Sequence, residues 1–253
     1  MNAKFVAFSC THCPLEDKAA ISWLHKQIED VKPDYVVHLG DLFEADGASR
    51  FPAETTWDLK DEFDAGEKLL ADLRQVGGPD CTYVFLPGNH DDNVLAANRI
   101  DKRLRGLCDW RNLPELDNWL VPTQYNYCRK RGVFRLGQVD FAHGYEANAS
   151  AGKFESVYLS HEYHLYVHGH THRPHDVRQV MMNQTRPLRQ WYANAGTLAD
   201  MDREYMHRKR KGMWGQGCVV GETKITKSPR LSRNWTAETR VFRMFDDQFN
   251  PYP

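Results

Sequence analysis

Along the chain, apolar positions fall into short runs separated by helical periodicities. Residues 4–8 (KFVAF) form an apolar stretch that stops at Ser9, the pattern of a strand buried on both faces. Past Pro14, a residue suited to helix starts, Ala20, Leu24 and Ile28 recur at helical spacing with Trp23 alongside. Residues 35–39 (YVVHL) repeat the strand pattern and end at Gly40. Leu59, Phe63, Leu70 and Leu73 then mark one face of a longer helix, broken by Gly77-Gly78-Pro79. A third strand, residues 82–86, is closed by Pro87-Gly88. This βαβαβ alternation predicts a parallel sheet covered by helices.

The second half is richer in short strands. Segments 125–128, 133–136, 139–142, 165–167, 177–182, 190–193, 218–221 and 241–245 carry the pattern, with Gly132 and Gly137 as punctuation. Two sheets packed face to face, with helices outside, accommodate both halves. No repeat, low-complexity tract or linker divides the chain, which reads as one domain over residues 1–253 with a basic C-terminal part from about 203 to 243.

Composition narrows the class. With 41% hydrophobic and 26% charged residues, the chain is neither disordered nor membrane-embedded. No apolar run approaches the roughly 18–20 residues of a membrane helix. The first apolar stretch is too short for a signal-peptide core, so a cytoplasmic location is expected. Six cysteines are too sparse for a disulfide framework; only Cys10 and Cys13 are close in sequence. The net charge of −1 conceals an uneven distribution, with eleven Lys/Arg against three Asp/Glu between Arg203 and Arg243. Such a stretch can track a polyanion or simply form a solvated surface.

Residues able to bind metals stand just past the predicted strands. They are His12, Asp41, the trio Asn89, His90 and Asp91, then His143, and finally His170 with His172. The carboxyl ends of strands form the ligand-binding edge of open α/β sheets. Imidazole and carboxylate together suit Mn, Fe or Zn. Singly, each residue has a plain explanation: Gly40-Asp41 and Gly88-Asn89 are turn pairs, and His38, inside a strand, reads as a satisfied core histidine. His161, His164 and His168 crowd one segment without any need to act as ligands. The ordered set is what carries the signal.

Residues 8–12 (FSCTH), 40–44 (GDLFE), 88–91 (GNHD), His143-Gly144 and 169–172 (GHTH) resemble the ordered signature blocks of the calcineurin-like metallophosphoesterases, with 194–197 (NAGT) as a weaker further turn. The resemblance implies an α/β fold, a four-layer α/β/β/α sandwich of two packed mixed sheets, with a two-metal site at the carboxyl ends of the strands. It implies that His12, Asp41 and His172, with the residue at position 10, serve the first metal. Asp41 would bridge to a second metal completed by Asn89, His143 and His170. His90 would face the substrate as the acid that protonates the leaving oxygen, or as a charge stabiliser. Glu44 would orient it, with Asp91 as an alternative orienter or a helix cap. Two dications about 3.5–4 Å apart would clamp a phosphoryl group and activate a bridging water for in-line attack, and an imidazole titrates near neutrality. The chain's compact size resembles stand-alone bacterial or phage-encoded members.

One position departs from the pattern. Where relatives carry Asp, this chain has Cys10. A thiolate keeps the negative charge and is itself a ligand, but it is softer and shifts preference towards Zn or Fe and away from Mg. Cys10 and Cys13 could instead form a redox pair; the plainer reading makes Cys13 a small buried residue before Pro14. Loss of a ligand could also mark a binding or scaffold module, although His90 and nearly every ligand position are retained. For substrate, a phosphodiester is expected. Arg208, Lys209, Arg210 and Lys211 beside Trp214 offer charge and a stacking face for nucleic acid, so a nuclease acting on DNA or RNA is the sharper version. A phosphomonoesterase or protein phosphatase is the alternative.

Overall fold

A computed structural model describes residues 2–49, 57–101, 103, 108–121, 127, 132–148, 150–159, 164–182, 186–202, 214–225, 240–245 and 248–251. The first half runs β1 (Asn2–Phe8), α1 (Lys18–Val31), β2 (Tyr35–His38), α2 (Leu59–Gly77), β3 (Thr82–Phe85) and α3 (Asn89–Ile100). The second runs β4 (Val133–Leu136), β5 (Val139–Ala142), α4 (Ala151–Leu159), β6 (His164–His168), β7 (His175–Met182), β8 (Arg186–Asn194), β9 (Gln216–Lys224), β10 (Arg240–Phe245) and β11 (Gln248–Pro251).

Two mixed sheets result. One has the order β11-β10-β9-β1-β2-β3, the other β4-β5-β6-β8-β7. In the first, β1, β2 and β3 are mutually parallel while β9 lies antiparallel to β1. In the second, β5, β6 and β8 are parallel, flanked by antiparallel β4 and β7.

The alternation within β1 explains the layering. Phe5 and Ala7 point into the interface between sheets, where Val37, Leu39 and Val84 meet Val139, Phe141, Leu165 and Val167. Val6 and Phe8 point the other way, onto Leu24 and Ile28 of α1 and Leu70 and Leu73 of α2. Successive strand side chains face opposite sides, so a strand covered on both faces must be apolar throughout. With α1 and α2 outside the first sheet and α4 against β6 and β8 of the second, the four-layer α/β/β/α arrangement is complete.

Helix ends follow local chemistry. Asp17 caps α1 by accepting from the amides of Ala19 (2.8 Å) and Ala20 (3.1 Å). Asp58 and Asp61 form a capping box at the start of α2. The α4 helix escaped the apolar pattern for a physical reason. Its buried face is Ala151, Gly152, Glu155 and Ser156, while Phe154 and Val157 are exposed. Small residues serve close packing there: a Cβ on Gly152 would come within 2.4 Å of His168 Nε2. The short strand β11 also went unread. The strand expected at 125–128 falls outside the described residues apart from Tyr127, which sits in a bend. Among the described residues, no helix is long and apolar enough to cross a membrane.

Phe5 and Phe141 meet edge to face across the sheets, 5.0 Å between centroids. Phe141→Ala is expected to destabilise the fold by about 3–5 kcal/mol, read from urea unfolding followed by circular dichroism. A change below about 1 kcal/mol would show that the inter-sheet core does not depend on this contact.

Candidate metal centre

The loops leaving β1 and β2 run side by side. Cys10 donates its amide to Gly40 O (2.9 Å), His12 to Asp41 O (3.1 Å) and Cys13 to Leu42 O (2.7 Å). Of the seven non-glycine residues with positive φ among those described, five are Cys10 (56°), His12 (51°), Asp41 (56°), His170 (63°) and His172 (55°). Left-handed backbone at such residues costs about 1–3 kcal/mol each and persists only where the surroundings enforce it. Here it turns successive side chains into one cluster. Backbone approaches are equally close: a Cβ on Gly40 would meet Gly88 N at 2.4 Å, and one on Gly88 would meet Asp41 Oδ1 at 2.2 Å. That contact explains glycine before both Asp41 and Asn89.

Asp91 enforces this meeting. Its buried carboxylate accepts the amides of Asp41 (2.8 Å), Leu42 (3.1 Å), Phe43 (3.3 Å) and Gly88 (2.7 Å). Its carbonyl accepts from Trp110 Nε1 at 2.9 Å. The carboxylate therefore caps α3 and ties two loops together, and its hydrogen bonds go to backbone rather than to His90.

Two donor sets meet at Asp41. In the first, ligand atoms of Cys10, His12, Asp41 and His172 all lie within 4.8 Å of one another, and all four residues are buried. His12 Nε2 faces His172 Nε2 at 3.3 Å and Asp41 Oδ2 at 3.9 Å. In the second, Asp41, His143 and His170 converge to the same degree. His143 Nε2 lies 3.2 Å from Asp41 Oδ2 and 3.0 Å from Asn89 Oδ1.

Tautomers follow from the far side of each ring. His143 Nδ1 donates to Leu39 O at 2.9 Å, which turns Nε2 into the cluster towards Asp41 and Asn89. His12 Nδ1 lies 2.8 Å from Glu44 Oε2, an ion-pair contact without aligned hydrogen-bond geometry, while its Nε2 faces His172. His172 Nδ1 is buried without a hydrogen-bond partner among the described residues.

Burial lowers the pKa of His12 and His172 and pushes His170 down to about 4, keeping these rings neutral. Burial also opposes charge on Asp41, but His143 and His90, whose own pKa values that carboxylate raises, outweigh it and hold the carboxyl well below its usual range. Burial and the charge of Asp41 push the Cys10 thiol up, so only a bound cation would favour its thiolate there. Imidazoles, one carboxylate, an amide oxygen and a thiol, crowded at ligand distances with the ring nitrogens of His12 and His172 turned towards each other, fit divalent transition-metal ions.

His90 stands at the first turn of α3. Its amide donates to Asp41 Oδ1 (2.9 Å), and its ring meets that of His12 at right angles, 4.7 Å away. Its Nδ1 donates to the Glu44 carbonyl at 2.5 Å. The sequence pattern pointed to the Glu44 carboxylate as the orienter of His90. The structure divides the work: the carbonyl holds His90 and the carboxylate lies on His12. Pairing of Cys13 with Phe43 and the Glu44 amide bond to Cys13 O (3.2 Å) set Glu44 between the two rings.

Supporting residues lie further off in sequence. Asn194 donates to Gly169 O (2.9 Å) and Thr171 Oγ1 (3.0 Å) and accepts from Gly196 N (2.7 Å). Thr197 Oγ1 donates to Cys10 O at 2.7 Å, so the 194–197 turn braces two donor loops. Glu155 accepts the amides of Tyr145 (2.6 Å) and Glu146 (2.5 Å), holding the loop after His143. No sequence signal marked Glu155, which sits on the helix whose apolar pattern is inverted. Tyr127 stacks on Tyr145 and meets the His143 ring at 5.6 Å. His38 is a satisfied core histidine, bonded to Gly40 N (3.0 Å) and Thr11 Oγ1 (3.1 Å). Arg208, Lys209, Arg210 and Lys211 lie outside the described residues, whereas Trp214 packs edge-on against His172 at 4.4 Å.

The family model for calcineurin-like phosphoesterases matches residues 3–194. Comparison with curated proteins finds no match. Among solved structures, the chain is similar to vacuolar protein sorting 29 from Cryptosporidium parvum, at 12% identity over 99% of this chain and 96% of that one, with a TM-score of 0.50. Chaetomium thermophilum Vps29 gives 11% identity, 99% and 96% coverage and the same TM-score, 0.50. Pseudomonas putida nuclease MPE gives 12%, 98%, 86% and 0.42. At such identities the structural likeness speaks to fold alone. The family match, by contrast, spans every block from the β1 exit to the end of β8, and the chain belongs to the calcineurin-like phosphoesterase family.

Proposed function

We propose that the protein hydrolyses phosphate esters, with phosphodiesters as the preferred class, at a two-cation centre held by Cys10, His12, Asp41 and His172 on one side and Asp41, Asn89, His143 and His170 on the other. The observation that carries this reading is the meeting of a fully buried donor set and a partly exposed one at one shared carboxylate, with His90 directly beside them. Mn, Fe or Zn bound there would neutralise charge on the phosphoryl group and activate a water nucleophile.

The chain's own residues do the rest. The hydrogen bond to the Glu44 carbonyl leaves His90 Nε2 as the free end of the ring, able to deliver a proton to the departing ester oxygen. Glu44 holds His12, and Leu39 O holds His143, so neither ring must reorient as the centre loads. Asp91 keeps the loops of Asp41 and Asn89 together and acts on geometry alone. A purely binding or scaffold role would require neither His90 nor both donor sets, and each donor position has a competent residue. The preference for diesters, nucleic acid among them, rests on the basic stretch from 203 to 243 and on the aromatic face of Trp214 beside the first donor set.

Three measurements test these roles. With Mn, Fe or Zn supplied, the protein should turn over bis(p-nitrophenyl) phosphate, and His90→Ala should lower kcat by about 10²–10⁴-fold at unchanged metal content. Full activity in that variant would remove His90 from the chemistry. Glu44→Gln should weaken metal affinity by about 10–100-fold in equilibrium dialysis, while the backbone carbonyl still anchors His90. Undiminished affinity would leave the Glu44 carboxylate without the assigned role. Asp91→Asn should lower stability by about 1–3 kcal/mol in thermal unfolding. A fall in kcat with stability intact would make Asp91 an orienter of His90 instead.

A further inference from the structure

The two donor sets differ in one atom type. The first contains a sulfur, Cys10 Sγ, whereas Asp41, Asn89, His143 and His170 offer only nitrogen and oxygen. Backbone bonds hold Cys10 from both sides. Its amide donates to Gly40 O (2.9 Å), and its carbonyl accepts from Leu198 N (3.1 Å) and Thr197 Oγ1 (2.7 Å). With φ at 56° and no exposure to solvent, the backbone of Cys10 is fixed and its side chain is closed off from water. The opposite wall is equally close: a Cβ on Gly169 would lie 3.6 Å from Cys10 Sγ. Sγ is thus enclosed beside the ligand atoms of His12, Asp41 and His172.

The other nearby cysteine is turned elsewhere. Cys13 belongs to the apolar cluster that packs α1 and α2 onto the first sheet, and it is absent from the donor sets found among the described residues. Cys10 thus stands within a mixed donor set, whereas Cys13 is packed into the apolar core.

We propose that Cys10 makes the first position a thiolate site selective for zinc or ferrous iron, so that the protein carries two unlike cations, the second position accepting a harder ion such as manganese. This rests on the two-cation reading above. One thiolate, two imidazoles and one carboxylate form a four-donor set suited to zinc, and thiolate favours soft cations over hard ones. Loading breaks the S–H bond, forms a sulfur–metal bond and releases the proton to solvent. The second set, with an amide oxygen in place of sulfur, has no such bias. Replacing the thiolate by carboxylate would make the two positions alike in hardness.

Cobalt(II) is the probe. The metal-free protein, titrated with cobalt, should bind two equivalents and develop the near-ultraviolet sulfur-to-cobalt charge-transfer band of a single thiolate. Cys13→Ser should keep the band. Cys10→Asp and Cys10→Ser should lose it, with folding checked by circular dichroism. In competitive dialysis against zinc and manganese, the parent should retain one of each. In Cys10→Asp the bound zinc-to-manganese ratio should fall by on the order of tenfold. Two cobalt ions bound without a sulfur band, or a band lost in Cys13→Ser, would overturn the thiolate site while leaving a two-cation centre. Equal zinc-to-manganese ratios in the parent and Cys10→Asp would overturn the selectivity. Failure to bind cobalt at all would overturn the two-cation reading as well.

Discussion

The buried carboxylate of Asp91 draws four backbone amides, those of Gly88, Asp41, Leu42 and Phe43, onto one side chain. Everything at the donor cluster depends on that convergence. The loops leaving β2 and β3 would otherwise present unsatisfied amides to each other at backbone contact distance, a burial that costs about 1–3 kcal/mol per group. Accepting all four, Asp91 makes close approach of Gly40 and Gly88 favourable. It thereby places Asp41 between the histidines that leave β1, β5 and β6. Burial and the nearby charge of Asp41 push the Asp91 carboxyl up, against the pull of its amide donors.

Strain is distributed in the same way. Cys10, His12, Asp41, His170 and His172 all take left-handed backbone, an arrangement that isolated loops would abandon. The turn at 194–197 is what holds two of these loops in place. Asn194 secures the loop of His170 and His172, and Thr197 secures Cys10. Side chains on tightly bonded, strained loops have little freedom left to lose when a ligand arrives, so the cluster is preorganised for binding. Glu44 links two rings of the cluster, because one residue meets His12 through its carboxylate and His90 through its carbonyl. Displacing that residue would disturb both rings at once.

The parallel half of each sheet explains why so many distant residues share one edge. β1, β2 and β3 deliver Cys10, His12, Asp41 and Asn89, while β5 and β6 of the facing sheet deliver His143, His170 and His172. The hydrogen bond from His143 to Leu39 O joins the two sheets at that edge. The inter-sheet core around Phe5 and Phe141 fixes their separation. Close-packed interiors deform little, so the core sets the distance between the donors that the two sheets supply.

Legibility in the sequence followed periodicity. Strands β1 to β6 and helices α1 and α2 repeat simple patterns, and the ordered blocks from Phe8 to His172 named the residues that now stand together. The inverted helix α4 was hidden because its buried face consists of small and polar residues. The role of Glu44 was hidden because sequence spacing does not distinguish a carbonyl from a carboxylate as the acceptor. Asp91 read equally as cap or orienter until its partners, up to 50 positions away, were in place. Residue types and their order were enough to establish the family and the kind of donors present. The assignment of each donor to a partner arose only on folding, because hydrogen bonds and ligand sets form between atoms brought close by packing, not between neighbours along the chain.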